Sequence, residues 1–174
     1  YNVPSLTTAD QQQAFYALTM LGGVLDGGVS ARMETRLVRG QRLAAGIGAG
    51  YDGLQRGNGT FRITAAPNPD VSLDELEAAV KAEIRKIAEQ PPSAAEMDRV
   101  RAGVLAEQIY QRDSVMGQAM ELGTLSVLGL DWRLAAQFDE NLEAVTPEQV
   151  QQAARTWLVA ERSAVAHVIP EGEQ

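Results

Sequence analysis

Few residues in this 174-residue chain could do chemistry. It has one histidine, His167, and no cysteine. A thiol nucleophile, a cysteine-based zinc cluster and a His-x-x-Glu-His pair are therefore excluded. A Ser-His-Asp triad would have to use His167, near the C-terminus, and no nucleophile-elbow sequence accompanies it. His167 is read as a packed or surface histidine on a C-terminal strand. Arg32, Arg36, Arg39 and Arg42 form a cluster that could contact carboxylates, although a solvated helix face is the plainer reading. Tyr51 could reach a bound ligand or serve as an aromatic at a sheet rim. Gly46, Gly48 and Gly50 could admit another backbone or serve tight helix-to-sheet packing. Asp74-Glu75 and Asp139-Glu140 are helix-terminus or surface charges, because adjacent positions on a helix do not face each other.

The elements that must position these residues are legible from caps and periodicity. Ser or Thr precedes Glu or Gln by three residues at Thr8…Gln11, Ser72…Glu75, Ser93…Glu96 and Thr146…Gln149, each a capping-box signature. Pro147 follows Thr146 at a first helical position, where its missing N–H costs nothing. The first helix runs from Thr8 to about Leu25 with Phe15, Leu18, Leu21 and Leu25 inward. The second has a stripe of Leu73, Leu76, Val80, Ile84 and Ile87. After Ser93, Met97, Val100, Val104 and Ile109 are expected to face the core. Further helices are expected over about Ser114–Leu128, Trp132–Asp139 and the stretch containing Val150, Ala154, Trp157 and Leu158.

Three segments read as strands. Leu43, Ala45, Ile47, Ala49 and Tyr51 alternate with small residues, and Phe61, Ile63 and Ala65 alternate with Thr60, Arg62 and Thr64. The three glycines of Asp52–Gly59 suit a hairpin between them. Ala164–Ile169 is the third expected strand, buried on both sides. This order predicts an α+β fold, a mostly antiparallel sheet covered on one face by helices.

Hydrophobic residues make up 45% and charged residues 22% of the chain, an ordinary globular mix. A single domain over residues 1–174 would bury roughly 70% of its unfolded surface. The net charge of −8 argues against nucleic acid as a partner. No apolar run is long enough to span a bilayer. The chain opens at Tyr1-Asn2-Val3-Pro4 rather than at methionine, so it is expected to be an excised part of a longer protein.

The run Leu21-Gly22-Gly23-Val24-Leu25-Asp26-Gly27-Gly28-Val29-Ser30-Ala31-Arg32-Met33 reads as a helix end, a glycine turn and the start of a short second helix. Leu37-Val38-Arg39-Gly40-Gln41-Arg42-Leu43-Ala44-Ala45 then leads into a strand. Together they resemble the second half of pitrilysin-family (insulinase-like, M16) zinc peptidases. Pro91-Pro92-Ser93-Ala94-Ala95-Glu96-Met97-Asp98-Arg99-Val100-Arg101 resembles that family's next helix start. Gly129-Leu130-Asp131 and Val145-Thr146-Pro147-Glu148-Gln149-Val150 resemble its closing pattern. The resemblance implies a half-domain of the pitrilysin/processing-peptidase type, the C-terminal, non-zinc half.

In such peptidases a homologous half supplies His-x-x-Glu-His and a distal Glu for zinc, while this half often supplies an Arg and a Tyr toward the oxyanion. Those two positions hold Val38 and Ala45 here. No catalytic or metal-ligating residue is expected in this chain, and Arg39, Arg36 and Tyr51 are the candidate substrate contacts. The implied partners are a zinc-binding half, in the same or a separate chain, and a peptide substrate. The alternative is a non-catalytic assembly subunit of the same fold, since related respiratory-complex subunits keep the fold without the chemistry. A free-standing enzyme ranks last. Family habit places the protein in the bacterial cell envelope.

Overall fold

The computed structural model describes residues 1–9 and 12–169. In chain order it contains β1 (Asn2–Val3), α1 (Gln13–Asp26), a π-helix (Glu34–Gly40), β2 (Ala44–Asp52) and β3 (Gly59–Pro67). The helices α2 (Leu73–Glu89), α3 (Ala94–Arg112), α4 (Val115–Val127), α5 (Leu134–Glu143) and α6 (Pro147–Trp157) follow, then a 3₁₀ turn (Ala160–Arg162).

The local signals place most of these boundaries. Ser93 and Thr146 form complete capping boxes with Glu96 and Gln149. The Ser72 hydroxyl accepts from the Glu75 N–H at 3.1 Å. The Gln11 member of the first expected box lies outside the described residues. The Thr8 hydroxyl accepts instead from the Ser5 N–H at 3.0 Å, and α1 begins at Gln13 with no side-chain cap bond.

Helix α1 is the centre of the molecule. It buries Phe15, Leu18, Leu21 and Leu25 at the expected spacing, and also Tyr16, Met20 and Val24. The wider burial follows from its position against β2, α3, α5 and α6. Gly23 permits the α3 contact, since a Cβ there would stand 2.4 Å from Val100 Cγ1. Gly28, at φ 94°, makes the turn that follows in a conformation open to glycine.

The three strands form an antiparallel sheet in the order β1-β3-β2. The expected pairing of the glycine-rich strand with the Phe61 strand is present, with Tyr51 opposite Phe61 and Ala49 opposite Ile63. Ile47, Ala49, Tyr51, Phe61 and Ile63 pack into the core. Thr60, Arg62 and Thr64 face outward and are exposed, with Asp52, Gly50 and Gly48 across from them in that order. Helices therefore cover one face of the sheet, with α1 against β2, α2 beside β3, and α6 packed on both helices.

Three expectations about individual segments need correction. A register shift between Ala44 and Gly46 inserts one residue into β2. Ala44 is buried there and Ala45 is exposed, the reverse of simple alternation, because a bulge flips the faces before it. Ile109 is 60% exposed rather than core, since the buried positions of α3 are confined to Met97 and Val100 in its first two turns. Ala164–Ile169 is neither a strand nor buried: it pairs with no strand among the described residues, and Val168 is 86% exposed. Its β-branched composition favours extension, but a strand also needs a neighbouring strand to pair with, and this segment meets α2 through His167 instead.

Candidate functional site

The segment between α1 and β2 carries most of the candidate residues. The short second helix expected after the glycine turn has π geometry, with the Gln41 N–H bonded to the Arg36 carbonyl at 2.8 Å. Such five-residue spacing is rare and often marks functional sites. The turn out of it holds Arg42 in the left-handed region at φ 56°, which costs a non-glycine residue of order 1–2 kcal/mol. Neighbours hold that conformation: Asn68 Nδ2 donates to the Arg42 carbonyl at 2.5 Å, and the Leu43 N–H bonds the Leu37 carbonyl at 2.8 Å.

The four arginines do not share one solvated face. Arg32 is 8% exposed and grips Glu96 through Nε at 2.6 Å and Nη2 at 2.9 Å. That pairing, ahead of the Ser93 hydrogen bonds, holds the Glu96 carboxyl down at about 2. Arg36 Nη1 lies 2.6 Å from Glu83, a carboxylate buried on α2 that Lys86 also meets at 2.6 Å. Arg39 bonds the Val29 carbonyl, lies 3.7 Å from Glu34 and keeps 55% of its side chain exposed. Arg42 is exposed. Of the candidate arginines, Arg39 is thus the freer to meet another molecule, while Arg36 is occupied on α2. Val38 sits half-buried in the π-helix and Ala45 at the β2 bulge.

Tyr51 is tied inward. Its hydroxyl donates to the Pro4 carbonyl at 2.6 Å, and its ring packs on Phe15 at a centroid distance of 5.6 Å. Burial, with Asp52 nearby, raises its phenol above the usual range. The outward face of the β2–β3 pair carries an open depression of about 410 Å³, lined in part by Asp26, Gly48, Gly50, Thr60, Arg62 and Thr64. Asp26, at the end of α1, accepts the Ala49 N–H at 3.0 Å and so caps one outward-pointing group of the β2 edge. Arg62 and this open face were not among the sequence candidates. Their signal was the alternation itself, which marks Thr60, Arg62 and Thr64 as the face away from the core.

Among the carboxylate pairs, Asp139 joins Arg112 at 2.8 Å. Asp74 and Glu77 instead converge on His167: Nε2 lies 2.8 Å from Glu77 and Nδ1 3.9 Å from Asp74. No second imidazole exists to complete a two-histidine zinc site.

Residues 1–104 match the family model for the peptidase M16 inactive domain. No curated protein matches the chain. Among solved structures, a Bordetella pertussis Tohama I protein named as a zinc protease is 21% identical at TM-score 0.83, over 98% of this chain and 91% of that one. The inactive peptidase domain of a zinc-protease homologue from Bordetella parapertussis is 20% identical at TM-score 0.84, over 98% and 89%. A protease from Helicobacter pylori is 20% identical at TM-score 0.83, over 93% of this chain. The chain spans 38% of that Helicobacter protein's length. At these identities the likeness is one of fold.

Proposed function

This chain belongs to the peptidase M16 inactive-domain family, and we propose that it is the non-zinc half of a zinc-dependent peptidase, completing a chamber around a bound peptide. The reading rests on the open face of the β2–β3 pair. Helices cover the other side of the sheet, whereas this side presents Arg62, Thr60 and Thr64 beside a strand that carries no side chains at Gly46, Gly48 and Gly50. Hydroxyl and guanidinium donors next to a strand with no outward side chains at these glycines suit the carbonyls of an extended peptide.

The hydrolytic zinc has no ligand set here, because one histidine cannot supply a two-histidine motif. On this reading zinc and the attacking water belong to the homologous half, fused or separate, and this chain contributes wall and position. No step of hydrolysis is assigned to its residues. The cell-envelope placement is proposed on family habit alone, and fractionation of the parent protein tests it.

The decisive experiment compares peptide hydrolysis by this chain, by the zinc half, and by the two together. We expect none from this chain, and a gain over the zinc half alone when both are present. Arg62→Glu should lower kcat/KM of the pair without unfolding the domain. A zinc half equally active without this chain overturns the reading, as does chelator-sensitive hydrolysis by this chain alone.

Val38 and Ala45 at the family's Arg and Tyr positions favour a second reading, a non-catalytic assembly subunit. In that case the chain binds its partner half, and Arg62→Glu leaves every measured activity unchanged.

A further inference from the structure

The stretch after the 3₁₀ turn is held lightly. Among the described residues, His167 alone of residues 164–169 makes a hydrogen bond to the body of the protein. Its ring lies between two carboxylates of α2, with Nε2 2.8 Å from Glu77 Oε2 and Nδ1 3.9 Å from Asp74 Oδ1. Asp74 and Glu77 are three residues apart, so they share one face of the helix. One ring nitrogen and one oxygen of each carboxylate all lie within 4.8 Å of one another.

That convergence is close to what a cation requires. Ligand atoms around a tetrahedral ion with bonds of about 2.0–2.2 Å stand roughly 3.3–3.6 Å apart. Asp74 is 94% exposed at its side chain and free to turn the remaining distance. Glu77 is steadied by Lys81 on its other oxygen, which leaves one oxygen for a ligand. An imidazole among the donors suits zinc, cobalt, nickel or copper, whereas magnesium and calcium take oxygen.

We propose that Asp74, Glu77 and His167 form a surface site for a divalent first-row transition cation, and that the bound ion clips the 163–169 segment to α2. The clip has no hydrolytic role here and is independent of the chamber reading. Its physical effect is to join two segments ninety residues apart at a point where one side-chain contact otherwise holds them.

The test titrates the 174-residue chain with Zn²⁺ by calorimetry and with Co²⁺ by visible absorption. One equivalent should bind, and excess Mg²⁺ or Ca²⁺ should not displace it. His167→Ala and Asp74→Asn should each weaken binding by about tenfold or more. Both positions are surface sites, so the metal-free melts should match the parent and show that each variant folds. Amide exchange over residues 164–169 should slow when Zn²⁺ is added. Absence of saturable binding, binding that survives His167→Ala, or unchanged exchange in the Zn²⁺-bound chain would each overturn the proposal. None of these outcomes depends on peptide hydrolysis.

Discussion

Arg32 and Glu96 bind each other at two points while Glu96 also closes the cap of α3. Arg32 Nε and Nη2 take the two oxygens of Glu96 at 2.6 and 2.9 Å. The second of those oxygens accepts the Ser93 N–H at 2.8 Å. One carboxylate thus fastens the segment after the glycine turn to the start of α3 and completes the helix's first turn.

This linkage predicts a defined acid sensitivity. The Glu96 carboxyl is depressed from an ordinary 4.5 to about 2 in the folded state, so its contribution is complete above the unfolded value. It is lost as pH falls from about 4.5 through about 2, where the folded form takes up the proton. Glu96→Gln keeps a residue able to close the capping box but removes the charge facing Arg32. The variant should lose about 1.5–3 kcal/mol near neutrality, measured in denaturant melts. It should also lose part of the parent's stability change between pH 5 and 2. Parallel pH profiles for the two proteins would show that the pair is not the source.

Gly23 and Val100 make a second specific claim. A methyl at position 23 would fall 2.4 Å from Val100 Cγ1, so Gly23→Ala should cost about 1–3 kcal/mol through overpacking. This outweighs the smaller gain expected from helix propensity. Adding Val100→Ala should recover part of the loss, and the double-mutant cycle should show coupling. Additive effects would place the cost elsewhere.

Phe61 is fully buried opposite Tyr51 on the covered face of the sheet. Phe61→Ala should therefore cost about 3–5 kcal/mol. Chemical denaturation of the purified domain measures it, and a loss under about 1 kcal/mol would show that Phe61 is not a core residue.

The altered family positions lead to a prediction in the assembled peptidase. Removing one oxyanion donor commonly costs about 10²–10³ in turnover, so restoring donors with Val38→Arg and Ala45→Tyr should raise kcat if the parent geometry persists. Arg39, the exposed arginine of the π-helix, is the control for a one-position substitute. Arg39→Ala should leave kcat unchanged. A tenfold or greater fall in kcat without loss of stability would mean that this half takes part in the chemistry.

The helices were readable from local chemistry. Ser93–Glu96 and Thr146–Gln149 act within a single turn, and the inward stripe of α1 needs only helical periodicity. The strand alternation likewise separated Phe61 and Ile63 from Arg62 before any neighbour was known. What sequence alone determined about this protein is therefore its helix order, the pairing of the glycine-rich strand with the Phe61 strand, its family likeness and the exclusion of a two-histidine zinc site, whereas the third strand is Asn2–Val3, which the sequence did not mark. Tertiary structure decided the rest, because those features join residues far apart in the chain. Glu83 sits on a polar-looking position of α2 yet is buried to meet Arg36, 47 residues away. Ala45 loses its expected face to a bulge that only the β3 register reveals. Ala164–Ile169 has the composition of a strand and no strand partner among the described residues. His167 acquires two carboxylate neighbours only when its segment folds back on α2. Local propensity depends on a few adjacent residues, whereas burial, register and charge pairing depend on which distant surface arrives.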